Sequence, residues 1–224
     1  MAAAGARRRR ERAGIPDEVR HTGKWRLALE MIDEMTGAGG WGVLDLATAA
    51  GAARPVVAGD IGYGGNALFR QELTARGWRY VIAVKGSVSA RSRDAAPAAW
   101  AYGGMGRPSV PRYRTAPLSL REVAIACADQ VQQVTWRQGT KAAKGNPAAA
   151  MTSHLLAIRA RPASRHIPRA ADGSQPECWL LAEWPAEADE PAGYWLATLP
   201  KTLPSPSWCG WPRSAGGRST TTAN

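Results

Sequence analysis

Residues 54–86, RPVVAGDIGYGGNALFRQELTARGWRYVIAVKG, constrain the fold more than any other stretch of the chain. PVVAGD is a short apolar run of the buried-strand type, and Pro55 suits a strand start, where no ladder N–H is needed. NALFRQELTARG reads as a helix with Asn66 as its N-cap and Gly77 as its stop. Leu68, Phe69 and Leu73 form its predicted apolar face. WRYVIAVKG is a second strand, so the segment is one strand–helix–strand unit of the α/β kind.

One carboxylate, Asp60, stands on the last step of the first strand. Two readings are open. Open α/β sheets place their sites at the C-terminal ends of strands, and glycines at 62, 64 and 65 would clear space there for a close approach. Alternatively, Asp60 starts a turn, as strand-end aspartates often do. A lone Asp cannot hold a catalytic pair of Mg²⁺ ions, because two-metal phosphodiester chemistry needs several converging carboxylates. GYGG before a helix lacks the Lys-Ser/Thr of a phosphate-cradling P-loop.

Either side of this unit the pattern differs. RRRRER at residues 7–12 is a basic cluster expected to be solvated and mobile. GKWRLALEMIDEMTG predicts an amphipathic helix, with Trp25, Ala28, Leu29, Ile32 and Met35 on one face and Gly37, Gly39 and Gly40 ending it. WGVLDLATAAGAAR fits helix or loop. Residues 87–119, rich in Ser, Arg, Pro and Gly, predict an exposed excursion without periodic structure. LSLREVAIACAD is ambiguous between helix and strand. QVTWRQGT, SHLLAIRARPA, ECWLLAEWP and GYWLATLP are four strand-like runs separated by turn-rich connections.

No segment is apolar for the length of a bilayer span, and MAAAGARRRR does not have the order of a signal peptide. Cys127, Cys178 and Cys209 fit no zinc spacing or evident disulfide pair and read as reduced thiols. His21, His154 and His166 are scattered without metal spacing. The formal net charge of +11 favours a polyanionic partner, of which nucleic acid is the usual one. Arg137, Lys141 and Lys144 form a basic turn beside Trp136, a combination suited to DNA backbone contact and stacking or to a plain solvated β-turn. Lys85, just beyond the second strand, could touch a phosphate or simply be solvated. Glu183 is a further strand-end carboxylate.

The block VVAGDIGYGGNALFRQELTARGWRYVIAVKG resembles the second-aspartate block of insertion-sequence DDE transposases, of the insertion sequence 701 group. ERAGIPDEV and WRLALEMIDEM upstream support the resemblance, as do VTWRQGTK, LLAIRARPA, IPRAADGSQPECWLLAEWP and YWLATLP downstream. They follow the family's order from about residue 8 to residue 200. The resemblance implies an RNase H-like core carrying Asp, Asp and Glu around Mg²⁺, which cleaves DNA and transfers strands. Asp60 matches the second Asp, a metal ligand. The β-rich segment after Lys85–Gly86 matches an inserted β domain. The expected division is a basic tail and linker at 1–22, a partial core at 23–86, an inserted β-rich region at 87–200 and an irregular tail at 201–224.

The family pattern breaks at both ends. Its first Asp lies upstream of the AGIPDE block, whereas Asp17 falls in that block, Asp33 in the amphipathic helix and Asp45 after WGVL. After YWLATLPK the family continues into a helix bearing the final Glu, but here TLPSPSWCGWPRSAGGRSTTTAN follows, with no acidic residue. Stepping the reading frame back by one base turns the Cys209 slot into Val and the Pro212 slot into Ala. Permitted wobble choices then let the stretch resemble the final-Glu helix, with the Glu under Ser219. A frameshift near Thr202 is therefore expected, leaving Asp60 as the one matched carboxylate.

The sequence thus predicts an α/β chain with a partial RNase H-like core and an inserted β-rich domain, a transposase fragment inactive in DNA cleavage. The alternative is a non-catalytic DNA-binding fragment that interferes with an intact transposase. Expected partners are the DNA ends of an insertion element and either a second copy or an intact transposase. The resemblance also implies a bacterial cytoplasmic location, at the nucleoid when bound to DNA.

Overall fold

The structure, a computed structural model, describes residues 10–16, 19, 21–36, 55–99, 103–105, 110–138 and 150–200, with the side chains of 136–138 and 150 excepted. The chain divides into two units, Met1–Asp45 and Leu46–Asn224. In the first, helix α1 (Lys24–Thr36) buries Leu29 and half-buries Trp25, Ala28, Ile32 and Met35, while Leu27 and Met31 are exposed. That is the face the apolar spacing predicts. Arg10, from the basic cluster expected to be solvated, is half-buried. Its guanidinium donates to the Pro16 carbonyl at 2.7 Å and to that of Val19, bracing the turn that follows. WGVLDLATAAGAAR and residues 201–224 lie outside the described residues.

The second unit is built on one sheet. Its elements are β1 (Val56–Gly59), α2 (Ile61–Gly64), α3 (Ala67–Ala75), β2 (Arg79–Val84), β3 (Ser89–Ser92), β4 (Leu118–Ser119), α4 (Leu120–Ile125), β5 (Gln132–Gln138), β6 (Ala150–Pro162), β7 (Cys178–Glu183) and β8 (Gly193–Ala197). A 3-10 turn at Ala128–Gln130 precedes β5. The strand order is β1-β2-β8-β7-β6-β3-β4, with β5 also paired to β6. β1 and β2 are parallel, as a strand–helix–strand unit requires, and β2, β8, β7 and β6 are successively antiparallel. The β-rich region therefore continues the sheet that β1 and β2 begin.

The core follows from the pleat. Register aligns Ile82, Leu196, Leu180 and Ile158 in one row across four strands, with exposures of 0%, 0%, 0% and 8%. Each such side chain taken from water contributes roughly 1.5–3 kcal/mol. Helix α3 packs against β2 and buries Phe69, Arg70 and Leu73. Leu68, predicted on that face, is exposed, and Arg70 is buried instead. Asn66 caps α3 as predicted, its Oδ1 accepting the Leu68 N–H at 2.9 Å. Gly77 ends the helix at φ 74°, a conformation glycine adopts without steric cost.

On the opposite face, Val81, Ala197 and Leu199 are buried beneath the half-exposed Trp179, Leu181 and Trp195. The predicted excursion at 87–119 is partly structured. β3 pairs with the C-terminal end of β6, and Ala98 and Arg112 form an isolated bridge. The ambiguous LSLREVAIACAD is a short strand followed by a helix. Ser119 and Glu122 close a capping box at its start, the Ser119 Oγ accepting the Glu122 N–H at 3.2 Å. Among the described residues no helix is long and apolar enough to cross a membrane.

Candidate functional site

Asp60 stands just past the C-terminal end of β1, the strand at one edge of the described sheet, and is half-buried. It is the N-cap of α2. Its backbone is extended, at φ −82° and ψ 177°, and Oδ1 accepts the Gly62 N–H at 2.9 Å. Both sequence readings thus describe the same residue: a carboxylate at a strand's C-terminal end that also starts a turn. Only Oδ1 is engaged in this cap.

Of the glycines around it, Gly64 does different work from that expected. A Cβ at Gly64 would lie 1.7 Å from the Ala83 carbonyl oxygen, so this glycine lets α2 press against the β2 backbone. A Cβ at Gly65 would meet open space, and one at Gly62 would meet Asp60 Oδ1 at 3.1 Å. Gly64 therefore positions the loop from behind and clears no room for a ligand. Arg70 reinforces that placement, its guanidinium donating to the Gly64 carbonyl. The periodic pattern gave no sign of Arg70, because an arginine on an apolar helix face reads as a boundary residue.

Arg70 also lies beside Tyr80 and Cys178, both in the core. Burial pushes the Cys178 thiol up to about 12 and raises the Tyr80 phenol further, so both stay protonated at neutral pH. A buried thiol of this kind is inert, consistent with the expected reduced cysteine.

Because β1 and β2 are parallel, their C-terminal ends coincide. Extending the register that pairs Gly59 with Ile82 puts the exposed Lys85 roughly 8 Å from Asp60 between Cα atoms. Arg137 lies in β5 opposite Met151, past an irregularity in register between Thr135 and Arg137. Strand directions place that end of the β5–β6 pair at the same end of the sheet as Asp60. Lys141 and Lys144 lie outside the described residues.

Glu183, at the end of β7, shares that end of the sheet but is three strands from β1. At ~4.8 Å per strand the separation is roughly 14 Å or more. Carboxylates sharing one Mg²⁺ each reach it at about 2.1 Å, so Glu183 and Asp60 cannot serve the same ion. The Glu183 Oε1 accepts instead from the Ser153 hydroxyl at 3.2 Å. Among the described residues no group of three His, Cys, Asp or Glu could hold a metal ion. One carboxylate does not fit a two-metal centre.

The family model for DDE superfamily endonucleases matches residues 2–143, which span β1, Asp60, β2 and the first strands of the β-rich region. No curated protein and no solved structure matches the chain. Endonucleases of this superfamily use divalent metals such as Mg²⁺ and act on DNA, and the match spans more than half of the sequence. The chain belongs to the DDE superfamily endonucleases.

Proposed function

We propose that this chain is part of an insertion-sequence DNA transposase of the insertion sequence 701 group, with Asp60 as the second carboxylate of its Asp-Asp-Glu set. Residues 56–84 then belong to the RNase H-like core, and the strands from β3 to β8 form the region inserted between that Asp and the final Glu. The first Asp is unmatched here, and the final Glu is displaced by a frameshift near Thr202. By itself the chain binds DNA and does not cut it.

The observation that carries this reading is the placement of Asp60: a carboxylate at the C-terminal end of a parallel strand, on a loop braced by Gly64 and Arg70. The lack of cleavage follows from charge. A lone carboxylate can neither hold two Mg²⁺ ions nor offset the charge that develops on the attacked phosphate.

The test is a supercoiled-plasmid nicking assay with Mg²⁺, run beside a salt titration of duplex binding. Salt-dependent binding without nicking is the expected result. Mg²⁺-dependent nicking that Asp60→Asn abolishes would show a complete active site and overturn the inactive reading. The gene's nucleotide sequence tests the frameshift separately. Codons after Thr202 that cannot yield Arg-Trp-Arg in the neighbouring frame would sink it.

The formal net charge of +11 and the exposed Lys85 near Asp60 favour a second reading. With a carboxylate that cannot act alone, the chain would occupy element ends and compete with an intact transposase. Inhibition of transposition by added chain, unchanged in Asp60→Asn, would support it.

A further inference from the structure

Arg91 and Arg161 sit directly opposite each other on β3 and β6. Like charges in that position repel across the ladder. Carboxylate compensation is incomplete: Glu177 accepts from Arg161 at 2.7 Å and also from Arg159 at 3.4 Å, one carboxylate between two guanidinium groups. Arg91 is held by other means. Its guanidinium carbon lies 4.2 Å from the centre of the Tyr113 ring, and Nη1 donates to the Thr115 carbonyl at 2.6 Å. Its Nε is buried without a hydrogen-bond partner.

Two exposed arginines complete the corner. Arg93 follows β3, and Arg161 Nε donates to its carbonyl at 3.2 Å, fixing the backbone there. Arg169 precedes the turn in which the Ala170 N–H donates to the Ser174 carbonyl at 2.9 Å, and the next residue, Gln175, donates its N–H at 3.1 Å to the hydroxyl of Tyr113, the ring against Arg91. Burial lowers the Arg91 pKa, and the Arg169 charge adds to that in the same direction. Asp172, an acidic side chain that also feels the Arg161 charge, accepts the Ser174 N–H at 2.8 Å. Its carboxylate is held in its own turn.

We infer that Arg91, Arg93 and Arg169, with Arg161 and Glu177 as the brace behind them, form a phosphate-contacting site for the DNA backbone, separate from the Asp60 end of the sheet. The inference rests on the DNA-binding reading above and adds a second point of attachment to it. Arginine forks match phosphate and carboxylate oxygens alike in geometry, and membership of a DNA-directed family favours the phosphodiester over an acidic peptide. Asp60 is level with Ala83 on β2, whereas Arg161 is level with Arg79, near the other end, and β6 lies four strand steps from β1. The two places are thus roughly 23 Å apart by strand spacing and rise. At ~3.4 Å per base pair that is about seven base pairs of duplex, short enough for one DNA to touch both.

The experiment is fluorescence anisotropy of a labelled duplex several helical turns long, titrated with the full chain over a series of salt concentrations. Arg93→Glu with Arg169→Glu is expected to weaken binding about tenfold or more and to lower the slope of log K against log salt by about 0.9 for each phosphate that is no longer neutralised. The milder Arg93→Gln with Arg169→Gln pair should do the same to a smaller degree. It guards against misfolding, which circular dichroism checks. Lys85→Glu serves as the reference at the Asp60 end.

If the wild type binds and Lys85→Glu weakens it while both arginine pairs leave affinity and slope unchanged, this inference falls and DNA binding stands. If the wild type shows no salt-dependent duplex binding, the DNA reading itself has failed, and the site with it. Polyglutamate competing as well as duplex of equal charge would overturn the assignment to phosphate.

Discussion

β1 and β7 belong to one sheet yet are held in place differently. β7 has a strand on either side and alternates buried and half-buried residues along its length. Among the described residues β1 has one neighbour, β2, and it alternates exposed and half-buried residues, with Val56 43% exposed. The middle of the sheet is fixed by rows of aliphatic side chains, so its stability is spread over many residues. The edge that carries Asp60 is fixed by joinery: Asp60 caps α2, Gly64 fits under the Ala83 carbonyl, and Arg70 holds the Gly64 carbonyl. A candidate site can thus be placed accurately on a strand that contributes little to the core, provided the backbone behind it is fastened at a few points.

Three substitutions would break or sharpen that contrast. Leu196→Ala, in the fully buried row, should cost about 2–5 kcal/mol and lower the urea midpoint of the whole second unit. Gly64→Ala forces a methyl into the space of the Ala83 carbonyl and should cost about 1–3 kcal/mol. Hydrogen exchange should then show weakened protection in β1 and α2 while β6 and β7 keep theirs. Weakened protection across the entire sheet would mean that edge and centre are one cooperative piece and that the contrast is mistaken. Val56→Thr, at an exposed position of β1, should stay within about 0.5 kcal/mol of wild type by the same denaturation measurement. A larger loss would mean that β1 has an apolar covering.

What could be read in advance divides along the same line. The strand–helix–strand unit, the Asn66 cap and the Gly77 stop were legible because short-range chemistry decides them. β5 to β8 were legible as strands from their alternation. The Ser-x-x-Glu at 119–122 already held the signal that separates helix from strand there, and the capping box confirms it. β3 was hidden, since Ser-Ala-Arg-Ser has no apolar alternation and is a strand by virtue of its pairing with β6. Arg70 and Leu68 exchanged places against their polarity because Arg70 has a carbonyl to reach across the core. Asp60 could be singled out from its place on a strand end. The company it keeps could not, because the order β2-β8-β7-β6 is set by long-range pairing that no local pattern encodes. The arginine corner has the same origin: Arg91 and Arg161 are far apart in sequence and meet only in register.

That long-range pairing also sets a timetable for the nascent chain. β2 is made early, but the strand beside it is β8, and Val81 must wait for Ala197. At ~5–20 residues per second the ribosome needs on the order of ten seconds to deliver it. In that interval β2 has β1 on one side and a bare row of amides and carbonyls on the other, the kind of edge that recruits foreign strands. The last of the described strands to be synthesised thus stands third from the Asp60 edge of the sheet. Any interruption of translation between β2 and β8 would release a chain in which one edge of β2 is open to aggregation.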